Sequence, residues 1–370
     1  MSTMKYTPPR SIDILVVDDS AIVRQSLKEI IEKEPAFRVL IAADPYEAVA
    51  VMSKTKPKVI ILDVDMPRMD GLTFLRKLMR QHPLPVLLVT DHPARGVAAL
   101  EFGALEVIAK PDWHHPSVLD GWGLRLRDSL SLAVNRSETR VHEEARLESE
   151  PRFPADAVLL RRPYQPQGAP SQPIIALGAS TGGVQAILRV LTLLPRETPG
   201  MVIVQHMRDG FMTAFADRLG SDSKIAMRVR EAKHGEHILA GHVLVVPEGK
   251  HGIVRRTPHQ YYIELVEGPL VSRFRPSVDV LFRSVAQAAG PRAAGVILTG
   301  MLDDGAAGLL EMREAGSWTI AQNEQTSQVF GMNKEAIRRG AARQVLALDR
   351  IAGALATWAQ GIHRLGGDSR

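Results

Sequence analysis

The sequence predicts an α/β protein with a parallel-sheet domain on each side of a polar linker, and three observations predict it. Short apolar runs alternate with helical patterns along most of the 370 residues, the pattern of βαβ units and parallel sheets. The length suits about two domains, each able to bury its own core. Between them the composition changes: residues 135–150 are mostly charged and polar, and prolines follow at Pro151, Pro154, Pro163, Pro166, Pro170 and Pro173. Such a stretch buries little apolar surface and reads as a partly extended linker. The expected division is therefore a first domain at 11–134, a linker at 135–172 and a second domain at 173–365.

Composition narrows the class. Apolar residues make up 45% and charged residues 24%, so both domains should be globular. No cysteine is present, which excludes disulfides, thiolate metal sites and cysteine nucleophiles and fits a reducing compartment. The stretch Met1–Arg10 has no apolar signal core, and no run approaches the roughly 18 apolar residues that cross a bilayer. The expectation is a soluble, cytoplasmic protein without membrane insertion. Net charge is +5, with its Arg-Arg pairs scattered at 161–162, 255–256 and 338–339. With no long basic run or basic aromatic strip, nucleic acid is not an expected partner.

In the first domain, Ile12 to Val17 is an apolar strand pattern ending in Asp18-Asp19, and a helical stretch follows from Ala21 to Glu32. Further apolar runs end at Asp63 (Val59 to Leu62), at Thr90 (Val86 to Val89) and at Lys110-Pro111 (Val107 to Ala109). Helical patterns at Pro45–Lys54, Gly71–Gln81 and Pro93–Phe102 separate them. Ligands of such sheets bind outside the carboxyl ends of the strands, where Asp18, Asp19, Asp63, Thr90 and Lys110 all fall. Three carboxylates there repel one another unless a hard divalent cation such as Mg²⁺ joins them, and a lysine and a hydroxyl opposite would suit a phosphoryl group. Singly, Asp18 or Asp63 reads as a helix cap.

Val16-Val17-Asp18-Asp19-Ser20, Leu62-Asp63-Val64-Asp65-Met66-Pro67 and Lys110-Pro111 resemble the response-regulator receiver domain over nearly the whole of this region. The resemblance implies a flavodoxin-like fold in which Asp63 accepts phosphate from a histidine kinase. Asp18, Asp19, Asp63 and the Asp65 carbonyl would hold Mg²⁺, and Thr90 and Lys110 would contact the phosphoryl oxygens. Two positions depart from the pattern. Asp91 stands where a small residue usually follows the switch hydroxyl, and Val107 replaces an aromatic three places before the lysine. The first disfavours a dianionic phosphoryl group, and the second removes half of the usual switch.

Within the linker, 140–148 is expected to continue a helix, and Arg161-Arg162 reads as a solvated charge pair in preference to a docking spot. The second domain opens on Ile174-Ile175-Ala176-Leu177-Gly178-Ala179-Ser180-Thr181-Gly182-Gly183, an apolar strand followed by a helical pattern from Val184 to Leu194. That puts Ser180 on a strand-to-helix turn, beside amide groups able to hold a developing oxyanion. Strand patterns recur at Met201–Val204, Ile225–Arg230, Val243–Val246, Gly295–Leu298, Trp318–Ala321 and Gln344–Leu348, with a hairpin over 251–267. Helices are expected at Phe211–Leu219, Val278–Ala289, Gly305–Glu314, Ser327–Arg339 and Arg350–His363. His206 and Asp304 follow the strands at 201 and 295, so one sheet edge could gather Ser180, His206 and an acid. His206 would take the serine proton and the acid would orient the imidazole. Thr181, Gly300 and Met301 would support the oxyanion. The chain order Ser, His, Asp differs from that of α/β-hydrolases, despite the G-x-S-x-G letters.

Gly178 to Gly183, Gln205-His206-Met207, Arg275 to Phe282, Thr299 to Gly308 and Ala321-Gln322-Asn323 resemble the chemotaxis protein-glutamate methylesterase family. Its pattern sets the triad aspartate directly before glycine, which selects Asp304 over Asp303. The resemblance implies a doubly wound catalytic domain that hydrolyses γ-methyl esters of glutamate on chemoreceptors, and also deamidates glutamine there, as a monomer covered by its receiver until phosphorylated. No cofactor is expected at the serine site. The competing readings are a transcriptional response regulator, an esterase or amidase of the same fold with another substrate, and a catalytically silent scaffold.

Overall fold

The computed structural model describes residues 11–113, 115–134, 153–166, 170, 172–207 and 210–367. The chain divides after residue 140 into two compact units. Among the described residues, no helix is long and apolar enough to cross a membrane.

The first unit is a five-stranded parallel sheet in the order β2-β1-β3-β4-β5. Its strands are β1 (Ile12–Val17), β2 (Phe37–Ala42), β3 (Val59–Asp63), β4 (Val86–Val89) and β5 (Glu106–Ile108). Central strands β3 and β4 are buried along their whole length, as their unbroken Val/Ile/Leu runs require when helices cover both faces. The helices α1 (Ala21–Ile31), α2 (Pro45–Lys54) and α3 (Gly71–Gln81) start on Ser20, Asp44 and Asp70, whose side chains accept backbone N–H bonds from the first turn, satisfying donors a helix start leaves open. Two elements go beyond the sequence reading. Strand β2 lies at the sheet edge and alternates buried Phe37 and Val39 with exposed Arg38. Helix α5 (Pro116–Val134) follows α4 (Pro93–Glu101) and β5; it carries two glycines, yet Trp122, Leu126, Leu130 and Ala133 recur at helical spacing and are buried.

The second unit has a seven-stranded parallel sheet, β15-β14-β13-β6-β7-β10-β8. In chain order these strands are β6 (Ile174–Ala179), β7 (Gly200–Gln205), β8 (Arg228–Glu231), β10 (His242–Val245), β13 (Ala293–Ile297), β14 (Trp318–Gln322) and β15 (Gln344–Leu346). The expected hairpin is present as β11 (His251–Arg256) and β12 (Tyr261–Val266), with the two-residue β9 (Glu236–His237) added antiparallel to β12. The helices are α6 (Gly183–Leu191), α7 (Phe211–Ser221), α8 (Val278–Ala289), α9 (Ala306–Glu314), α10 (Met332–Arg338) and α11 (Leu348–Gly367). Helix α8 is buried at every position but Gln287, with its polar Asp279, Arg283 and Ser284 hydrogen-bonded inside, so it forms the centre of this core rather than its cover. From central β6 the chain moves to β7 on one side and, after α8, to β13 on the other. The ends of these three strands therefore form a crevice of the kind where parallel sheets bind ligands.

The expected linker is shorter than its prolines suggested. Residues 153–165 are docked on the second unit: Ala155 and Leu159 pack with Ile253, Val271 and Val280. The carbonyls of Leu159, Leu160 and Gln165 accept bonds from Arg283, Gln287 and Arg256. Arg161 stays exposed and pairs with Glu314 at the surface. Proline lacks an N–H but keeps its carbonyl, and an extended proline-rich strand can still be tied down by side-chain donors. The helix expected at 140–148 lies outside the described residues.

Candidate functional site

In the second unit, Ser180 follows β6, His206 follows β7, and Asp304 lies in the loop after β13. The edges are joined by backbone bonds: the His206 N–H donates to the Ala179 carbonyl (2.9 Å) and the Ser180 N–H to the Thr299 carbonyl (3.0 Å). Gln205 Nε2 bridges the carbonyls of Ser180 (2.9 Å) and His206 (2.8 Å). Three glycines make the approach possible. Gly182 takes a left-handed φ of 79° at the start of α6, a conformation glycine adopts without a Cβ clash. A Cβ on Gly300 would stand 2.8 Å from Ser180 Cβ, and one on Gly178 would stand 2.2 Å from Val278 Cγ1 at the start of α8.

His206 Nε2 is 2.8 Å from Asp304 Oδ2, with the imidazole side chain 5% exposed and the carboxylate fully buried. The same carboxylate caps α8, accepting from Val278 N–H (2.7 Å), Asp279 N–H (3.0 Å) and the Ser277 hydroxyl (2.8 Å). Burial alone would raise the Asp304 carboxyl, but the His206 partner and the α8 amides outweigh it and hold the group below its ordinary value. A helix N-terminus favours negative charge for the same reason. The neighbouring Asp303 turns away to Arg339 (3.1 Å), so only the second aspartate of the pair meets the histidine.

The serine leg is open in this structure. Among the described residues His206 Nδ1 is buried without a hydrogen-bond partner, which leaves that ring nitrogen unengaged on the imidazole edge opposite Asp304. Catalytic hydrogen bonds commonly tighten only once substrate is bound. Of the expected backbone donors, Gly300 is removed: its N–H donates to the Val329 carbonyl at 3.0 Å. The N–H groups of Thr181 and Met301 meet no such acceptor among the described residues. Gln205 and Ser277 fall inside the family motifs without a role read for them, and Phe274, whose ring lies 3.7 Å from the His206 ring at 5°, carries no signal in one sequence that ties it to this crevice.

In the first unit, the carboxylates of Asp18, Asp19 and Asp63 place ligand atoms within 4.8 Å of one another. Lys110 Nζ is 3.0 Å from Asp63 and 3.7 Å from Asp18. Burial and then the charge of Asp63 push Asp18 up to about 6, and burial raises Asp63 despite Lys110. One Asp63 oxygen has no aligned hydrogen-bond partner. Such a set fits a hard divalent cation, which would relieve the repulsion between buried carboxylates. The Asp65 carboxylate is not part of it, being paired with Arg95 and His92; only its backbone carbonyl remains for that role. Thr90 is buried and its hydroxyl accepts the His92 N–H at 3.1 Å.

Comparison with known proteins accounts for both units. A family model described as CheB methylesterase matches residues 175–355, and one described as response regulator receiver domain matches residues 14–115. The chain is 47% identical over 350 residues to protein-glutamate methylesterase/protein-glutamine glutaminase 5 of Anaeromyxobacter dehalogenans, covering 93% of this chain and 96% of that protein. It is 44% identical over 348 residues to protein-glutamate methylesterase/protein-glutamine glutaminase 3 of Geobacter metallireducens, covering 93% and 98% respectively. Among solved structures, the Thermotoga maritima CheB methylesterase catalytic domain is 32% identical and covers 50% of this chain and 98% of that one, with a TM-score of 0.49. The chain belongs to the protein-glutamate methylesterase/protein-glutamine glutaminase family, with a response-regulator receiver domain ahead of its methylesterase domain.

Proposed function

We propose that this protein hydrolyses γ-methyl esters of glutamate on chemoreceptors, and deamidates glutamine there, under control of phosphorylation at Asp63 by a chemotaxis histidine kinase. The observation that carries the enzymatic half is the His206–Asp304 contact at 2.8 Å with Asp304 held by three further donors. With Nε2–H directed at Asp304, Nδ1 is the basic nitrogen, and it receives the proton as Ser180 Oγ attacks the ester carbonyl. The carbonyl oxygen gains the negative charge, and the N–H groups of Thr181 and Met301, which meet no backbone acceptor among the described residues, would be its donors. The imidazolium, stabilised by Asp304, then returns its proton to the leaving oxygen, releasing methanol and a glutamyl ester of Ser180. Water, deprotonated by the same nitrogen, attacks that ester; the proton goes back to Ser180 and free glutamate remains. For a glutamine side chain the leaving group is ammonia.

In the receiver, Asp18, Asp19 and Asp63 would hold Mg²⁺ together with the Asp65 carbonyl, and the ion would neutralise charge on the incoming phosphoryl group. Asp63 would be the acceptor, and Lys110, 3.0 Å from it, and the buried Thr90 would contact the phosphoryl oxygens. Asp91 and Val107 weaken the coupling of phosphorylation to activity. The test is methanol release from methylated receptors, with and without a small phosphodonor. Release that is absent in both conditions overturns the enzymatic reading, and release that is equal in both overturns the control.

A further inference from the structure

We infer that Phe274 is a positioning residue for His206, held in place by the docked strap 153–159; the inference rests on the triad reading above. The His206 ring is anchored at one atom, Nε2, while Nδ1 has no partner among the described residues. A single hydrogen bond fixes a point on a ring and leaves its tilt free. The Phe274 ring lies flat against the imidazole, centroids 3.7 Å apart and planes 5° from parallel, and so fixes the plane in which Nδ1 points. It also covers one face from water and presents a π-face to the imidazolium that forms during turnover, an attraction that strengthens away from solvent.

The turn that carries Phe274 is strained, and the strain is supported from outside. Val271 and Phe274 close it by exchanging backbone bonds of 2.9 and 3.1 Å, with Ser272 (φ 49°) and Arg273 (φ 74°) both in the left-handed region. Non-glycine residues persist there only when their surroundings enforce it. Three contacts do so here. The Ser272 hydroxyl bonds the buried Asp279 carboxyl (3.2 Å), whose other oxygen accepts the Gly308 N–H (2.7 Å). The Ser272 N–H donates to the Phe153 carbonyl at 3.0 Å. Val271 packs in one cluster with Ala155 and Leu159 of the strap. The first residue of the strap thus bonds the chain two positions from the ring that lies on His206.

The experiment uses the full-length protein carrying Phe274→Leu, Phe274→Tyr, Leu159→Ala or Ser180→Ala, with receptor methyl-ester turnover and NMR of ¹³C-labelled histidine as readouts. The His206 signals are assigned by their loss in His206→Gln. Phe274→Leu should lower kcat on the order of tenfold with KM nearly unchanged, and Phe274→Tyr, which keeps the ring, should restore it. Ring-current shielding should place the His206 C–H signals upfield in the wild type and the tyrosine variant and release them in the leucine variant. Leu159→Ala should show a smaller change of the same kind in both readouts. Unshielded His206 signals in the wild type, wild-type kcat in Phe274→Leu, or a tyrosine variant as slow as the leucine one would each overturn the role of Phe274. Unchanged kcat and signals in Leu159→Ala would remove the strap from it. Full turnover by Ser180→Ala would instead defeat the triad reading, and the shielding of His206 would still report the stack.

Discussion

Both units set carboxylates at the carboxyl edge of a parallel sheet, yet the two sites treat them in opposite ways. Asp304 is fully buried and answered by His206, Ser277 and two amides of α8, so its carboxyl lies below the ordinary range. Asp18 and Asp63 are nearly as buried, face each other across the site and share mainly Lys110, and both are raised. A carboxylate surrounded by fixed donors is organised before substrate arrives, which is what electrostatic catalysis needs. Carboxylates left short of positive charge store repulsion that an incoming cation can relieve. The His206–Asp304 edge therefore has its buried charge already answered by fixed donors, whereas the receiver edge is short of positive charge.

The largest effect should come from removing the proposed nucleophile beside His206. Ser180→Ala is expected to cut ester hydrolysis by a factor on the order of 10⁴ or more, with His206→Gln similar, while circular dichroism stays native. Near-native turnover in purified Ser180→Ala would place the chemistry elsewhere.

Next, the two adjacent aspartates should part company. Asp304→Asn loses the imidazole partner and a charged cap of α8, so turnover should fall on the order of 10³-fold and stability by about 1–2 kcal/mol. Asp303→Asn breaks a partly exposed pair with Arg339 and should stay within a few-fold of wild type. The reverse ranking would reassign the acid.

At the receiver edge, adding Mg²⁺ should raise the unfolding temperature of the receiver in the wild type and less in Asp19→Asn, by the ordinary linkage of binding to stability. A small phosphodonor should add one phosphoryl mass that Asp63→Asn abolishes. Labelling of Asp63→Asn at equal stoichiometry would refute the assignment of the acceptor.

The smallest effect sharpens the contrast within the catalytic unit. Burial, and then the charge of Asp304, pushes the Asp279 carboxyl up to about 8. A carboxyl raised in the folded state contributes stability that is whole below its unfolded value and is lost as pH climbs to its folded one. The wild type should thus weaken between about pH 4 and pH 8 relative to Asp279→Asn, which keeps an acceptor for Gly308 and a donor for Ser272. The gap should widen steadily as pH rises through that window. A constant gap between pH 5 and pH 8.5 in denaturant unfolding would show that Asp279 does not titrate there.

Sequence alone determined the alternation of strand and helix and the placing of Asp18, Asp63, Ser180 and His206 at strand ends, because periodicity and the break after an apolar run are local signals. It left edge strand β2 unseen, where only alternate residues are buried, and helix α5, where Gly121 and Gly123 interrupt the pattern. Tertiary structure decided which groups complete each site. Ser277 reaches Asp304 across 27 residues, Gln205 reaches the Ser180 carbonyl across 25, and Arg283 reaches the Leu159 carbonyl across 124. Nothing in the letters around Phe274 says that its ring faces His206, and nothing around Gly300 says that Val329 takes its N–H. A strand end locates a residue along its own segment, but the partner of a side chain depends on how distant segments pack, and that is settled only when the core closes around them.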